Sequence, residues 1–144
     1  MAHEDAGHYA AKHPQGTQIN PQIAEQIKLK LVDGRISCAA AHNIAEHLGV
    51  SSTEVGVTID LLEVRIQRCQ LGLFGYSPKK RIVQHAEKVA RELHLAIEAA
   101  LEGHKLACKA AWDLAERFEM SKLDIASACE TLAIKISPCQ LGSF

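Results

Sequence analysis

Aromatic residues are scarce in this chain of 144, only 4% of it, so the Tyr and Trp that fill the space between facing sheets are missing and a β-sandwich is disfavoured. Charge of one sign is lacking as well. The formal net charge is −1, so no global basic field draws the molecule to nucleic acid or an anionic membrane, and any such binding needs a local patch. No apolar run approaches the roughly 18 residues of a membrane span, and Met1-Ala2-His3-Glu4-Asp5 has neither the basic nor the apolar region of a secretory leader. A cytoplasmic protein with no membrane partner is expected. The cysteines are odd in number, five, and include no C-x-x-C, which fits reduced thiols better than a disulfide framework. Gly-rich phosphate loops, a G-x-S-x-G elbow and an H-E-x-x-H helix are all absent from the sequence, so the chain is not expected to be an enzyme. What is present is 47% apolar residues, chiefly Ala, Leu and Ile, against 23% charged, the composition of a folded, mainly α chain with a core of small and branched aliphatics.

The strongest internal signal is a duplication. Residues 34–74 align without a gap with 104–144, an offset of 70, and 13 of the 41 positions are identical. They are Cys38, Ala40, Ala41, Ala45, Glu46, Ser51, Leu62, Ile66, Cys69, Gln70, Leu71, Gly72 and Phe74 with their counterparts. Most other positions exchange like for like, as in Val55 with Ile125 and Arg65 with Lys135. Upstream, Ile19, Ile23, Ile27 and Leu31 answer to Val89, Leu93, Ile97 and Leu101, each set recurring every fourth residue as one face of a helix does.

Four segments follow. Residues 1–18, polar and rich in Gly, His and Gln, read as a flexible tail. Residues 19–74 form the first repeat, opened by Asn20 as N-cap and Pro21 at the first helical position, with a helix over about 21–32 stopped by Gly34. Residues 75–85, with Gly75-Tyr76-Ser77-Pro78, form a hinge and the start of a long amphipathic spine helix running to about Glu102, and 86–144 form the second repeat. The stripe Ile82, Ala86, Val89, Leu93, Ile97, Leu101 predicts that this helix, about 35 Å long, joins the halves.

Within the first repeat, Ala41-His42-Asn43-Ile44-Ala45-Glu46-His47-Leu48-Gly49-Val50-Ser51, followed by Val55, Ile59 and Leu62, resembles a helix-turn-helix: small Ala45, turn Gly49 four residues on, branched Val55 six further. Arg35-Ile36-Ser37 and Val64-Arg65-Ile66 alternate like short strands, and Gln70-Leu71-Gly72 would turn a wing. The second copy keeps Ala115 and Ile125 but has Glu119 at the turn, which must accept left-handed dihedrals or use another turn. The resemblance, to the winged-helix superfamily, implies two tandem winged-helix-like repeats related by a pseudo-twofold and a regulator or accessory protein that binds DNA, weakly or with a partner.

The charges complicate that implication. The second helix of the first motif has Glu54, Asp60 and Glu63 and no base; that of the second sets Lys122 against Asp124 and Glu130. Acid facing phosphate is repelled. The DNA-contact candidates are therefore Arg65 and Arg68 of the wing and Lys79, Lys80 and Arg81 after the hinge. The alternative is a protein-interaction or thiol- or metal-sensing module that does not touch DNA, with a homodimer left open.

Each repeat keeps a thiol pair 31 residues apart, Cys38 with Cys69 and Cys108 with Cys139. Cofactor-free packing as small hydrophobes is the leading expectation; a redox pair or zinc or iron held by four thiolates is the alternative. The longest conserved run between the copies is Cys69-Gln70-Leu71-Gly72, with Leu71 and Phe74 expected to anchor on the core. His3, His8 and His13 share no helical face, though a tail could gather them round nickel or copper.

Overall fold

A computed structural model describes residues 8–144, mainly helical with small strand pairs. The first unit holds α1 (Pro21–Lys30), β1 (Arg35–Ser37), α2 (Cys38–Leu48), α3 (Ser52–Leu61) and β2 (Arg65–Gln67). The second repeats the order with α4 (Arg91–Ala100), β3 (Lys105–Leu106), α5 (Cys108–Arg117), α6 (Lys122–Thr131) and β4 (Lys135–Ile136). No helix among the described residues is long and apolar enough to cross a membrane.

Side-chain caps set most of the helix starts. The Asn20 side-chain carbonyl accepts from the Gln22 and Ile23 amides at 3.0 and 3.2 Å, with Pro21 in the first turn as its fixed φ favours. Ser37, Ser51 and Ser121 cap α2, α3 and α6 through hydroxyls 3.0–3.1 Å from an amide three residues on. Between α2 and α3 the chain turns through Gly49 at φ 66°, and the Val50 amide donates to Ala45 at 3.0 Å. The second unit makes the same turn with Glu119 at φ 52°, the Met120 amide donating to Ala115 at 2.9 Å. Of the two outcomes open to Glu119, the left-handed one is realised. Its Cβ is crowded there, so Glu119→Gly is expected to stabilise the second unit by about 1 kcal/mol in a urea melt, net of the entropy Gly loses. Glu119→Ala should bring no comparable gain.

Each strand pair is parallel, with Ile36 opposite Ile66 and Leu106 opposite Ile136. Parallel neighbours need a long crossover, and the two helices of the turn motif supply it in each unit. The residues after β2 make bends and no returning strand.

The cores repeat position by position. Ile23, Ile27, Ile36, Val55 and Ile59 are buried in the first unit; Leu93, Ile97, Leu106, Ile125 and Cys129, each 70 residues on, are buried in the second. Burial of these branched side chains is the main stabilising term, about 2 kcal/mol for each one fully removed from water.

The long spine helix is not formed; α4 spans only Arg91–Ala100. Upstream of it the backbone is hydrogen-bonded to other segments instead of to itself. The amides of Ile82 and Val83 donate to the Gly72 carbonyl at 2.9 and 3.2 Å, the Ala86 amide donates to Ser127 at 3.2 Å, and the Thr131 hydroxyl donates to the Ala86 carbonyl at 2.8 Å. Two adjacent β-branched residues, Ile82 and Val83, weaken a helix at that point, and Val83 is buried in the non-helical segment. Helix α4 begins where the repeat places the counterpart of Pro21. Helix α1 likewise ends at Lys30, two residues short of its expected end, because Val32 and Arg35 pair across a tight turn.

Candidate functional site

In both units the surface of the second motif helix is covered by the chain segment that precedes the unit's first helix. In the first unit this arm makes a 3-10 turn over Tyr9–Lys12, within the stretch that composition presents as a tail. Tyr9 is buried, and the amides of Tyr9 and Ala10 donate to the Glu63 carboxylate at 3.0 and 2.9 Å. The carboxylate of Asp60, only 8% exposed, takes the Lys12 ammonium at 3.0 Å and the His13 ring nitrogen Nε2 at 2.8 Å. His13 is thereby committed to a carboxylate, and His3 lies outside the described residues.

The second unit repeats the device with different side chains. Arg81 pairs with Glu130, which stands 70 residues after Asp60, while Ser127 and Thr131 of α6 bind the backbone of Ala86. An acid at the same place on the second motif helix therefore grips a base of the arm in both copies. Sequence comparison within the chain shows the acid pair 60/130, but Lys12 and Arg81 are not at matching positions, so the link between arm and helix was missed.

The faces of α3 and α6 left to solvent are poor in bases. Thr53 and Glu54 are exposed on α3, Asp124 and Thr131 on α6, and the Lys122 ammonium lies 4.5 Å from the Trp112 ring centroid. In the first unit the same helix-to-helix position carries a hydrogen bond between the Ser52 hydroxyl and His42 Nδ1, 3.0 Å long. Of the sequence-predicted DNA contacts, Arg65 is half-buried on β2 and Arg68 exposed in the first unit; Lys79, Lys80 and Arg81 are exposed in the second, with Arg81 engaged by Glu130.

The thiols fall as the strand geometry requires. Cys38 opens α2 directly after β1 under its Ser37 cap, and Cys69 follows β2, the parallel partner of β1, by two residues. Cys108 opens α5, and its amide donates at 3.0 Å to the carbonyl of Pro138, the neighbour of Cys139. All five cysteines are thiols, four of them buried and Cys139 half-buried. Among the described residues no three His, Cys, Asp or Glu side chains gather to hold a metal ion, so zinc or iron has no cluster there.

Burial pushes the Cys129 thiol up to about 11, and the adjacent Glu130 carboxylate adds to the shift. Such a thiol is a poor nucleophile. The unfolded chain gives up this proton near the ordinary value of 9.0, so the contribution of the neutral buried thiol is complete below that pH and is lost as pH rises through about 11. Urea melts are expected to show stability falling across this window, and Cys129→Ala should flatten the fall although it lowers stability at neutral pH.

A cavity of about 630 Å³ in the second unit is lined by Leu93, Phe118, Met120 and Ala128 together with His85 and Asp124, and no cysteine borders it. No family model, curated protein or solved structure matches the chain.

Proposed function

We propose that the chain is a non-enzymatic cytoplasmic accessory protein or regulator built from two winged-helix-like repeats, and that its second motif helices hold polypeptide in place of base pairs. The observation that carries this reading is the paired grip of Asp60 on Lys12 and His13 and of Glu130 on Arg81, since in both copies the helix that would read DNA already serves as a docking surface for a protein segment. Acidic residues at that place suit basic peptide and repel phosphate. The buried thiols support packing roles, which leaves protein interaction ahead of thiol or metal sensing.

A second reading, contact with duplex DNA through Arg65, Arg68, Lys79, Lys80 and Arg81, draws on the exposure of Arg68 and of the Lys79–Arg81 run. It requires binding that is electrostatic, steeply salt-dependent and indifferent to sequence. Titration into random and genomic duplex at low and moderate salt separates the two. Weak, salt-labile binding at most is expected, lowered when Lys79, Lys80 and Arg81 are neutralised together. A photo-reactive residue at exposed Glu54 or Asp124 should then capture one and the same polypeptide, with none captured from Lys28 on α1. Tight, sequence-selective duplex binding lost on Ser52→Ala or Thr53→Ala would overturn the proposal.

A further inference from the structure

The two compact units are not drawn where the repeats end. Residues Gln140–Phe144 close the second repeat in the chain yet belong to the first unit, and the run from Gln70, which closes the first repeat, belongs to the second. The change of unit comes at the same point in both copies, directly after Cys69 and Cys139.

Each unit buries the Leu of its segment and holds the carbonyl of the following Gly with its arm. In the first, Leu141 is buried to 2% exposure, and its backbone passes so close to α3 that a Cβ built on Gly56 would stand 2.7 Å from the Leu141 carbonyl carbon. The Gly142 carbonyl then accepts from the Lys12 ammonium at 3.1 Å. In the second, Leu71 has no exposure, Gly72 lies against Leu123 of α6, and the Gly72 carbonyl accepts the amides of Ile82 and Val83. Position 82 is the counterpart of position 12, so the arm holds the carbonyl of the turn glycine at matching places. Both glycines are left-handed, at φ 75° and 78°. The specificity is that of a short peptide site: one buried Leu, then a Gly whose left-handed conformation disfavours any side chain, with close packing against the glycine added only at Gly72.

We propose that the slot on α3 is a peptide-binding site for Gln-Leu-Gly, and that a second copy of this chain can supply Gln140–Phe144 to it, giving an exchanged dimer. In neither unit is the slot filled by the segment that closes its own repeat, so recognition does not depend on the donor being the acceptor's direct continuation. A second copy offers the identical segment in the identical register. Exchange of identical elements keeps every contact and changes only which chain provides it. This goes beyond the function proposed above and holds or fails separately from it, because it concerns copies of this chain alone.

The test uses full-length variants that complement each other. Leu141→Ala keeps the slot and loses its plug; Gly56→Val keeps the plug and blocks the slot. Mixed in equal amounts they are expected to double in mass by light scattering and to melt several degrees above either alone. A mixture that stays at single-chain mass and melts as its two parts do separately overturns the proposal. Should a variant fail to fold, the otherwise unaltered chain answers with a photo-reactive residue at Lys12, whose ammonium reaches the Gly142 carbonyl. Light- and heavy-isotope copies are unfolded together, refolded at high concentration and irradiated. Cross-links from position 12 to the 140–144 peptide of the other isotope support exchange, whereas cross-links confined to one isotope over a tenfold range of concentration refute it.

Discussion

Leu71→Ala is expected to destabilise the second unit by about 3 kcal/mol, the usual result of removing a fully buried Leu and leaving a cavity behind. Leu71 has no exposure, and Gly72 beside it is pinned by the Ile82 and Val83 amides, so the surrounding backbone has little freedom to close the gap. Phe74 recurs in both copies as well but is half-buried, and Phe74→Ala should cost less. Urea denaturation followed by circular dichroism measures both. A Leu71→Ala protein that melts at the wild-type temperature but has lost a binding partner would mean that the segment is functional surface instead of core.

Gly56→Val should cost as much in the first unit, about 3 kcal/mol, for the opposite reason. The added side chain has no room: Gly56 is in mid-helix, where Gly is otherwise a poor choice, and the backbone of Leu141 occupies the space a Cβ would take. A branched side chain must push Leu141 out of its pocket, and the loss of that burial adds to the strain. Gly56→Ala should be milder, near 1–2 kcal/mol, since alanine raises helix propensity while it crowds the same carbonyl. Position 126, the counterpart of Gly56, carries Ala and is fully buried, so the second unit accommodates a methyl group there. If Gly56→Val leaves the melting curve unchanged, the close fit of Leu141 on α3 contributes nothing to stability.

What a reader of the residues could find, and what stayed hidden, divides by the range of the interaction. The N-cap at Asn20, the Ser37 cap ahead of Cys38, the turn at Gly49 and the short strands around Ile36 and Ile66 are decided by groups within four residues or by alternation along one segment. The spine helix failed on the same test. Its apolar stripe at Ile82, Ala86 and Val89 has helical period, but the Ile82, Val83 and Ala86 amides find carbonyls on Gly72 and Ser127. Hydrogen bonds of that kind leave no mark in hydrophobic spacing. The repeat was the better guide, for α4 begins and ends 70 residues after α1.

Sequence alone decided that this is a duplicated, mainly helical protein with two like cores, because burial needs apolar residues at fixed spacing and the two copies keep that spacing. Only the tertiary structure decided which pieces complete each core. The run Cys-Gln-Leu-Gly reads the same whether it packs on its own repeat or on the other, since Leu71 and Leu141 each require only an apolar pocket and a place for a left-handed Gly. The grip of Asp60 on Lys12 and His13 was equally out of reach. An ion pair between residues 48 apart depends on where the arm lies once it is folded, and a charge in the sequence carries no record of its partner.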